Sequence, residues 1–273
     1  MSVLARVRAP ASTANLGPGF DCAAVALDLW NELEVSEGDT EIDLGHLGVQ
    51  AYARLAPVEG KRFSFTDRIP RERGLGSSAA VIALGLVAAS VVAGLTASVE
   101  ELLAEGIALE GHGDNLAAAL AGGVCLTWAT RVARVADRPP AVPVALVPDS
   151  TVSTAAARAA LPAAIPHADA AFTATRATLL GAALASGSED LFAEALADRL
   201  HEPYREASAP LLAAVRERLP AGALGATISG SGPTVVVWAR PEEASACAHE
   251  LSTRYPDVEV LTLPASPEGA HAL

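Results

Sequence analysis

Residues 70–80, Pro-Arg-Glu-Arg-Gly-Leu-Gly-Ser-Ser-Ala-Ala, constrain this chain more than any other stretch. Two glycines and two serines run directly into Val81–Val92, an apolar run of helix-forming composition. A small-residue loop that opens a helix leaves backbone N–H groups without intrahelical partners, at the positive end of the helix dipole. Such an opening suits an anion, and phosphate above all. The glycines let the main chain approach a ligand closely, and the hydroxyls of Ser77 and Ser78 offer oxygens to a phosphate or a metal. Taken alone, the segment is equally a tight turn with a capping serine.

The loop is not a Walker A motif, which needs Gly-x-x-x-x-Gly-Lys-Ser/Thr. The single lysine of the chain is Lys61, outside any glycine-rich turn. That also argues against a protein-kinase layout or a Schiff-base enzyme. Chemistry on phosphate here must use backbone amides, hydroxyls, arginine and a divalent cation.

A length of 273 residues predicts about two domains, and 51% hydrophobic content supports a sizeable core. The one long apolar stretch, near 79–97, is rich in Ala, Gly and Ser and reads as a buried helix rather than a membrane span. The N-terminus runs straight into strand-like alternation and has no signal-peptide pattern. Cys22, Cys125 and Cys247 are scattered, which fits a reducing cytoplasm without disulfides or a zinc site. A net charge of −13 disfavours nucleic acid and anionic membranes as partners.

Patterning predicts a strand at 3–8, an irregular Pro/Gly/Asn-rich loop at 9–20, and strands at 31–36 and within 40–67. Helices are expected at 77–92 and 99–109, a turn at 111–115 leading to a short Ala-rich helix, and a strand at 123–130. The polar stretch 131–141 is the expected domain boundary, dividing the chain into 1–140 and 141–273. Beyond it come a strand at 142–147, helices near 153–160, 167–184, 188–198 and 206–218, and strands at 225–229 and 234–238. A helix at 242–254 and a strand at 258–263 close the pattern. That order suits an α+β arrangement, an antiparallel sheet with helices on one face.

Three segments, in this order, resemble the GHMP kinase superfamily: Arg8-Ala-Pro-Ala-Ser-Thr-Ala-Asn-Leu-Gly-Pro-Gly-Phe-Asp21, Pro70 to Ala80, and Gly225-Ala-Thr-Ile-Ser-Gly-Ser-Gly-Pro-Thr234. Within it, Asn15 to Asp21, Glu110-Gly-His-Gly-Asp-Asn115, Val147 to Thr154 and His201-Glu-Pro-Tyr-Arg205 are similar to the homoserine kinase branch. The resemblance implies a two-domain fold: an N-terminal domain like that of ribosomal protein S5 and a ferredoxin-like C-terminal domain, with the site between them. It implies ATP-dependent phosphorylation of the side-chain hydroxyl of L-homoserine, a step toward threonine, with Mg²⁺ bridging the phosphates. A homodimer is a further family expectation.

The resemblance also assigns roles. Pro70, Gly74, Leu75, Gly76, Ser77, Ser78, Ala79 and Ala80 would hold the triphosphate, with Gly230 and Ser231 closing against it. Ser78 and a helix-borne carboxylate would supply magnesium with oxygen; Glu110 is the first choice and Glu105 the rival. Arg176 and Arg205 would grip the substrate carboxylate, since the planar guanidinium pairs bidentately. Asn15, Asp21 and Asp114 would meet its ammonium and hydroxyl, unless Asp21 only caps a turn. His112 would line the same pocket, and Asn115 would orient the accepting hydroxyl. No lysine stands ready to pair with a base, so the hydroxyl proton is expected to leave to phosphate or solvent, with Asp114 the alternative base. Gly113 stands where the family usually has proline, and the stretch 38–68 is short. Competing expectations are an archaeal-type shikimate kinase, a threonine kinase, and a non-catalytic nucleotide or amino-acid sensor.

Overall fold

The computed structural model describes residues 2–38 and 41–273. Two antiparallel sheets organise them. The first contains β1 (Val3–Asn15), β2 (Gly19–Glu37), β3 (Lys61–Thr66), β4 (Val124–Trp128), β5 (Arg131–Ala136) and β10 (His271–Ala272). Its order is β10-β1-β2-β4-β5, with β3 pairing the C-terminal half of β2. The second contains β6 (Val142–Val147), β7 (Ala223–Ile228), β8 (Val235–Ala239) and β9 (Glu259–Thr262), in the order β7-β8-β6-β9.

The apolar run after the glycine loop becomes α2 (Ser77–Ala93), with Ala79, Ala80, Ile82, Ala83, Leu84 and Leu86 all fully buried. Around it pack α1 (Leu47–Ala53), α3 (Val99–Glu110) and α4 (Asp114–Ala121), with α2 and α4 lying against β1 and β2. A helix apolar all round is a core helix. Among the described residues, no helix is long and apolar enough to cross a membrane. A capping box starts α3, where the Ser98 hydroxyl accepts from the Glu101 N–H and Glu101 accepts from the Ser98 N–H. The second half of the chain adds α5 (Thr154–Ala159), α6 (His167–Ser186), α7 (Glu189–Ala195), a 3-10 turn (Glu202–Ser208), α8 (Leu211–Glu217) and α9 (Ala244–Arg254).

Four expectations need correcting. Residues 9–20 are not an irregular loop: β1 continues to Asn15 and turns directly into β2. The turn is achieved by Asn15, Leu16 and Gly17, all with positive φ, so the glycine and asparagine that read as an irregular loop serve a tight reversal. Residues 131–136 are the edge strand β5 rather than a linker, and the chain changes sheets only between Ala136 and Val142. Residues 47–53, expected within a strand region, are helical and begin at a His46 cap that accepts from the Gly48 N–H. Finally, the last residues do not stay with the second unit. They return to the first sheet, where Ala270 donates to the Ala119 carbonyl and β10 covers the outer edge of β1.

Candidate active site

A cleft of about 250 Å³ opens at the N-terminus of α2, where the two sheets meet. The three motifs converge there. Gly76 caps α2 in the left-handed conformation and supplies no side chain to its amides. The Ala80 N–H makes the first helical bond, to the Gly76 carbonyl, so the amides of Ser77, Ser78 and Ala79 precede the helical ladder. The loop is tightly collared. A Cβ on Gly74 would lie 2.3 Å from the Ser229 carbonyl oxygen, and one on Gly76 would lie 2.1 Å from Ser12 Oγ. Both positions also carry positive φ, which only glycine adopts without strain.

The collar is the third motif. Ser229 Oγ donates to the Gly74 carbonyl at 2.6 Å and stands 2.9 Å from Thr13 Oγ1. Gly230 N–H donates to the Ala14 carbonyl, and its own carbonyl accepts from Asn15 Nδ2 at 2.8 Å. Gly230 and Ser231 line the cleft beside Gly74, Gly76, Ser77 and Ser78. Pro70, Leu75, Ala79 and Ala80 do not line it. Leu75, Ala79 and Ala80 have fully buried side chains, because they belong to the core-facing side of loop and helix; any contact they make to phosphate is through main-chain amides.

At one wall stands Glu110, the last residue of α3, with Oε2 buried and without a partner. Burial pushes its carboxyl above the usual range, against the pull of His112 and the Ser78 hydroxyl. A buried, unpartnered carboxylate oxygen beside a hydroxyl fits a divalent cation. Among the described residues no three His, Cys, Asp or Glu side chains form a cage, so a cation here would depend on ligand phosphates and water as well. Glu105 is not the alternative: it pairs with Arg54 at 2.6 Å on the outer surface.

Asp114 begins α4, and its Oδ1 accepts from the Asn115 N–H at 2.8 Å. The same oxygen is 3.4 Å from His112 Nδ1 and holds the imidazole above the ordinary histidine range. Asn115 Oδ1 accepts from Ser12 Oγ at 2.8 Å, which fixes the amide between β1 and the Gly76 turn. Asn15 is committed at both ends, donating to Gly230 and accepting from the Asp21 N–H at 3.1 Å. It therefore ties the two halves together at the cleft floor.

The far wall carries the charge. Asp21, with φ of 55, faces Arg158 of α5 in a bidentate pair at 2.7 and 2.9 Å. That pairing strengthens Arg158's hold on its proton. Arg205, 2% exposed, comes from the 3-10 turn and donates to the Gly230 carbonyl at 2.9 Å. Phe20 lies under both guanidiniums, 5.7 Å from Arg158 and 5.2 Å from Arg205.

Arg176 is not in this group. It lies on α6, pairs with Glu194 Oε2 at 3.0 Å and stacks on Phe172. Its side chain is partly buried, 26% exposed, and Glu194 supplies the partner that a charge in an apolar helix needs. Its expected place is taken by Arg158, which sequence reasoning missed although it lies one helical turn beyond the Val147–Thr154 segment. Ser153 caps that turn by accepting from the Ala156 N–H. A cap followed at short range by a basic residue was the available signal. Glu72 also lines the cleft without having been foreseen, as do Val152, Ser153 and Thr154 of the Val147–Thr154 segment, to which no role had been assigned.

Known proteins resemble this chain in sequence and in fold. The family model for the GHMP kinases N terminal domain matches residues 46–123, and that for the GHMP kinases C terminal region matches residues 180–257. A homoserine kinase of a Synechococcus species is 40% identical, covering 92% of this chain and 90% of that protein. One of Streptomyces avermitilis is 41% identical over 88% of this chain and 87% of its own. The crystal structure of homoserine kinase from Cytophaga hutchinsonii superposes with a TM-score of 0.85 at 27% identity, covering 98% of this chain and 97% of that one.

Proposed function

This chain belongs to the GHMP kinases, and we propose that it transfers the terminal phosphoryl group of ATP to the side-chain hydroxyl of L-homoserine, giving O-phospho-L-homoserine on the route to threonine. One observation carries the reading. A single cleft has an amide-lined helix mouth at one end, and two guanidiniums facing a carboxylate at the other. The first end suits a triphosphate and the second a small zwitterion.

The residues divide the work. Main-chain amides of 76–79, with Ser77 and Ser78, hold the phosphates. Ser78 and Glu110 would hold Mg²⁺, whose contribution when bound is to neutralise charge on the phosphoryl oxygens. Arg158 and Arg205 take the substrate carboxylate and Asp21 its ammonium, so the zwitterion inserts into the existing Asp21–Arg158 pair. Asn115, anchored by Ser12, orients the accepting hydroxyl. Asp114 Oδ1 accepts from the Asn115 N–H and lies near His112 Nδ1, which positions the start of α4, and Asp114 stands as the alternative base. The only lysine, Lys61, sits on β3 opposite Glu37. The hydroxyl proton therefore passes to phosphate or solvent, and catalysis is positioning and charge neutralisation. Three free cysteines, two of them buried, suit a reducing cytoplasm.

A ring acceptor with a carboxylate but no ammonium, such as shikimate, would leave Asp21 facing no substrate cation. ATP consumption measured with homoserine, threonine, serine, shikimate and mevalonate tests the assignment. Homoserine is expected to give the highest kcat/KM. A higher value for shikimate or mevalonate, or no turnover of any of the five, overturns it.

A further inference from the structure

Behind the cleft wall lies a histidine that the phosphoryl transfer does not use. His201 is fully buried, four residues before Arg205. Its Nε2 is 2.8 Å from the Gly17 carbonyl oxygen, and its Nδ1 is 3.3 Å from Arg205 Nη1. A carbonyl oxygen can only accept, so Nε2 carries the hydrogen. A guanidinium can only donate, so Nδ1 presents its lone pair. Both contacts are satisfied at once by a single species, the neutral imidazole with its proton on Nε2.

The same geometry fixes Arg205. Its Nη1 is shared between His201 Nδ1 and the Gly230 carbonyl, while its buried Nε has no partner. Phe20 locks the arrangement, stacking on the imidazole with ring centroids 5.0 Å apart and lying beneath the guanidinium. An anchored Nη1 holds the guanidinium at the cleft lining, where its charge faces an incoming carboxylate.

We propose that His201 is a positioning residue for the acceptor site, accepting from Arg205 Nη1 so that the guanidinium is held where it lines the cleft for the substrate carboxylate. The proposal rests on the reading of the cleft as an amino-acid acceptor site. It makes the amino-acid affinity depend on a neutral imidazole that never touches substrate. Protonation of Nδ1 would turn an acceptor into a donor facing another donor, and the guanidinium would lose its anchor.

The groups around His201 act in opposite senses. Burial holds it below the ordinary histidine range, with Arg205 acting in the same direction. Asp198, whose Oδ2 is 3.7 Å from Nε2, and the more distant Asp21 favour the charged form. Asp198 is itself taken up by the N–H groups of Leu200, His201 and Glu202. Glu202 turns away to Arg216 and the Ile228 N–H.

The test compares H201L, which fills the space without an acceptor, with H201N, whose Oδ1 can stand near the place of Nδ1. H201L is expected to raise the homoserine KM about tenfold or more, with the ATP KM unmoved. H201N is expected to stay within about threefold of wild type for both. In wild type, the homoserine KM should climb in acid, below the ordinary histidine range, and that climb should be missing in H201N. An unchanged homoserine KM in folded H201L, or an equal rise in both KM values, overturns the proposal. Should H201L not fold, the pH profiles decide: parallel profiles for wild type and H201N overturn it. Wild-type protein that does not turn over homoserine overturns the acceptor assignment itself, and this inference with it.

Discussion

The two ends of the cleft meet charge by different means. At the mouth of α2 the recognising groups are main-chain amides and hydroxyls held by a glycine turn, and the lining there is Gly74, Gly76, Ser77 and Ser78. At the acceptor end they are the side chains of Asp21, Arg158 and Arg205, delivered from a hairpin, a short helix and a 3-10 turn. A triphosphate spreads its charge over many oxygens, so an array of small dipoles suits it and the helix supplies one for its whole opening turn. A small zwitterion has two charges a few ångströms apart and needs fixed counter-charges at matching points. The difference teaches where each end is fragile. The phosphate end depends on the backbone being able to come close, and the acceptor end depends on individual side chains.

The hardest blow to the first end is a methyl group on Gly74. Its Cβ would press within 2.3 Å of a main-chain oxygen of the Ser229 loop, at a positive φ. Neither the oxygen nor the strained conformation can yield cheaply. G74A is expected to lose about 3 kcal/mol or more of stability and nearly all phosphoryl transfer. Urea unfolding and the ATP KM measure both. A variant with wild-type stability and ATP affinity would mean that the collar is loose and that the contrast between the two ends is not one of backbone against side chain.

The same contrast decided what could be read from the sequence. The phosphate end is contiguous: residues 74–78 make the loop and begin the helix, so glycine, serine and apolar run appear together in the chain. The resemblance to the GHMP kinases rested on three such contiguous motifs in order, and the fold followed from them. The acceptor end is assembled over distance, with Asp21 and Arg158 separated by 137 positions. The Ser153 cap was the one local mark of Arg158, since Arg158 and Arg176 otherwise both lie on alanine-rich helices. The hairpin turn at 15–17 was illegible for another reason. Left-handed asparagine and leucine are set by the pairing of β1 with β2, which pattern reading over a few residues does not see. The return of the chain end to β1 was likewise a long-range pairing, invisible in residues 264–273 themselves.

Removing a side chain at the acceptor end should leave the phosphate end intact. R158A is expected to raise the homoserine KM by on the order of a hundredfold, and R205A similarly, while the ATP KM stays within about twofold. Steady-state kinetics with each substrate varied in turn read the split. Equal losses for both substrates would show that the two ends are not separable.

Glu110 sits where the two ends meet and sharpens the comparison through pH. Burial raises its carboxyl in the folded state, so the fold favours the protonated form. That stability is fully present below the ordinary carboxylate range and is lost as the pH rises through the raised value. At neutral pH the raised carboxyl of Glu110 is a burden on the ligand-free protein, tolerated because a cation can use its free oxygen. E110Q is expected to raise the Tm of ligand-free protein at neutral pH, an advantage that disappears in acid, and to lower kcat by on the order of a hundredfold. A lower Tm for E110Q at neutral pH would sink this account of the carboxylate.

The smallest effect is expected at Arg176, and that smallness makes it the control for the whole comparison. Its guanidinium spans the Glu194 carboxylate and main-chain carbonyl on the α6–α7 surface, and Glu194 is largely exposed. Phe172 beneath it also carries Arg199 at 4.0 Å, so the ring keeps a cation when Arg176 is removed. Exposed ion pairs of this kind contribute roughly 0–1 kcal/mol, because water and side-chain entropy offset most of the attraction. R176A should therefore shift stability by no more than about that amount and leave both KM values within about twofold of wild type. A hundredfold rise in the homoserine KM of R176A, with R158A unaffected, would transfer the carboxylate site from α5 to α6 and undo the assignment of the acceptor wall.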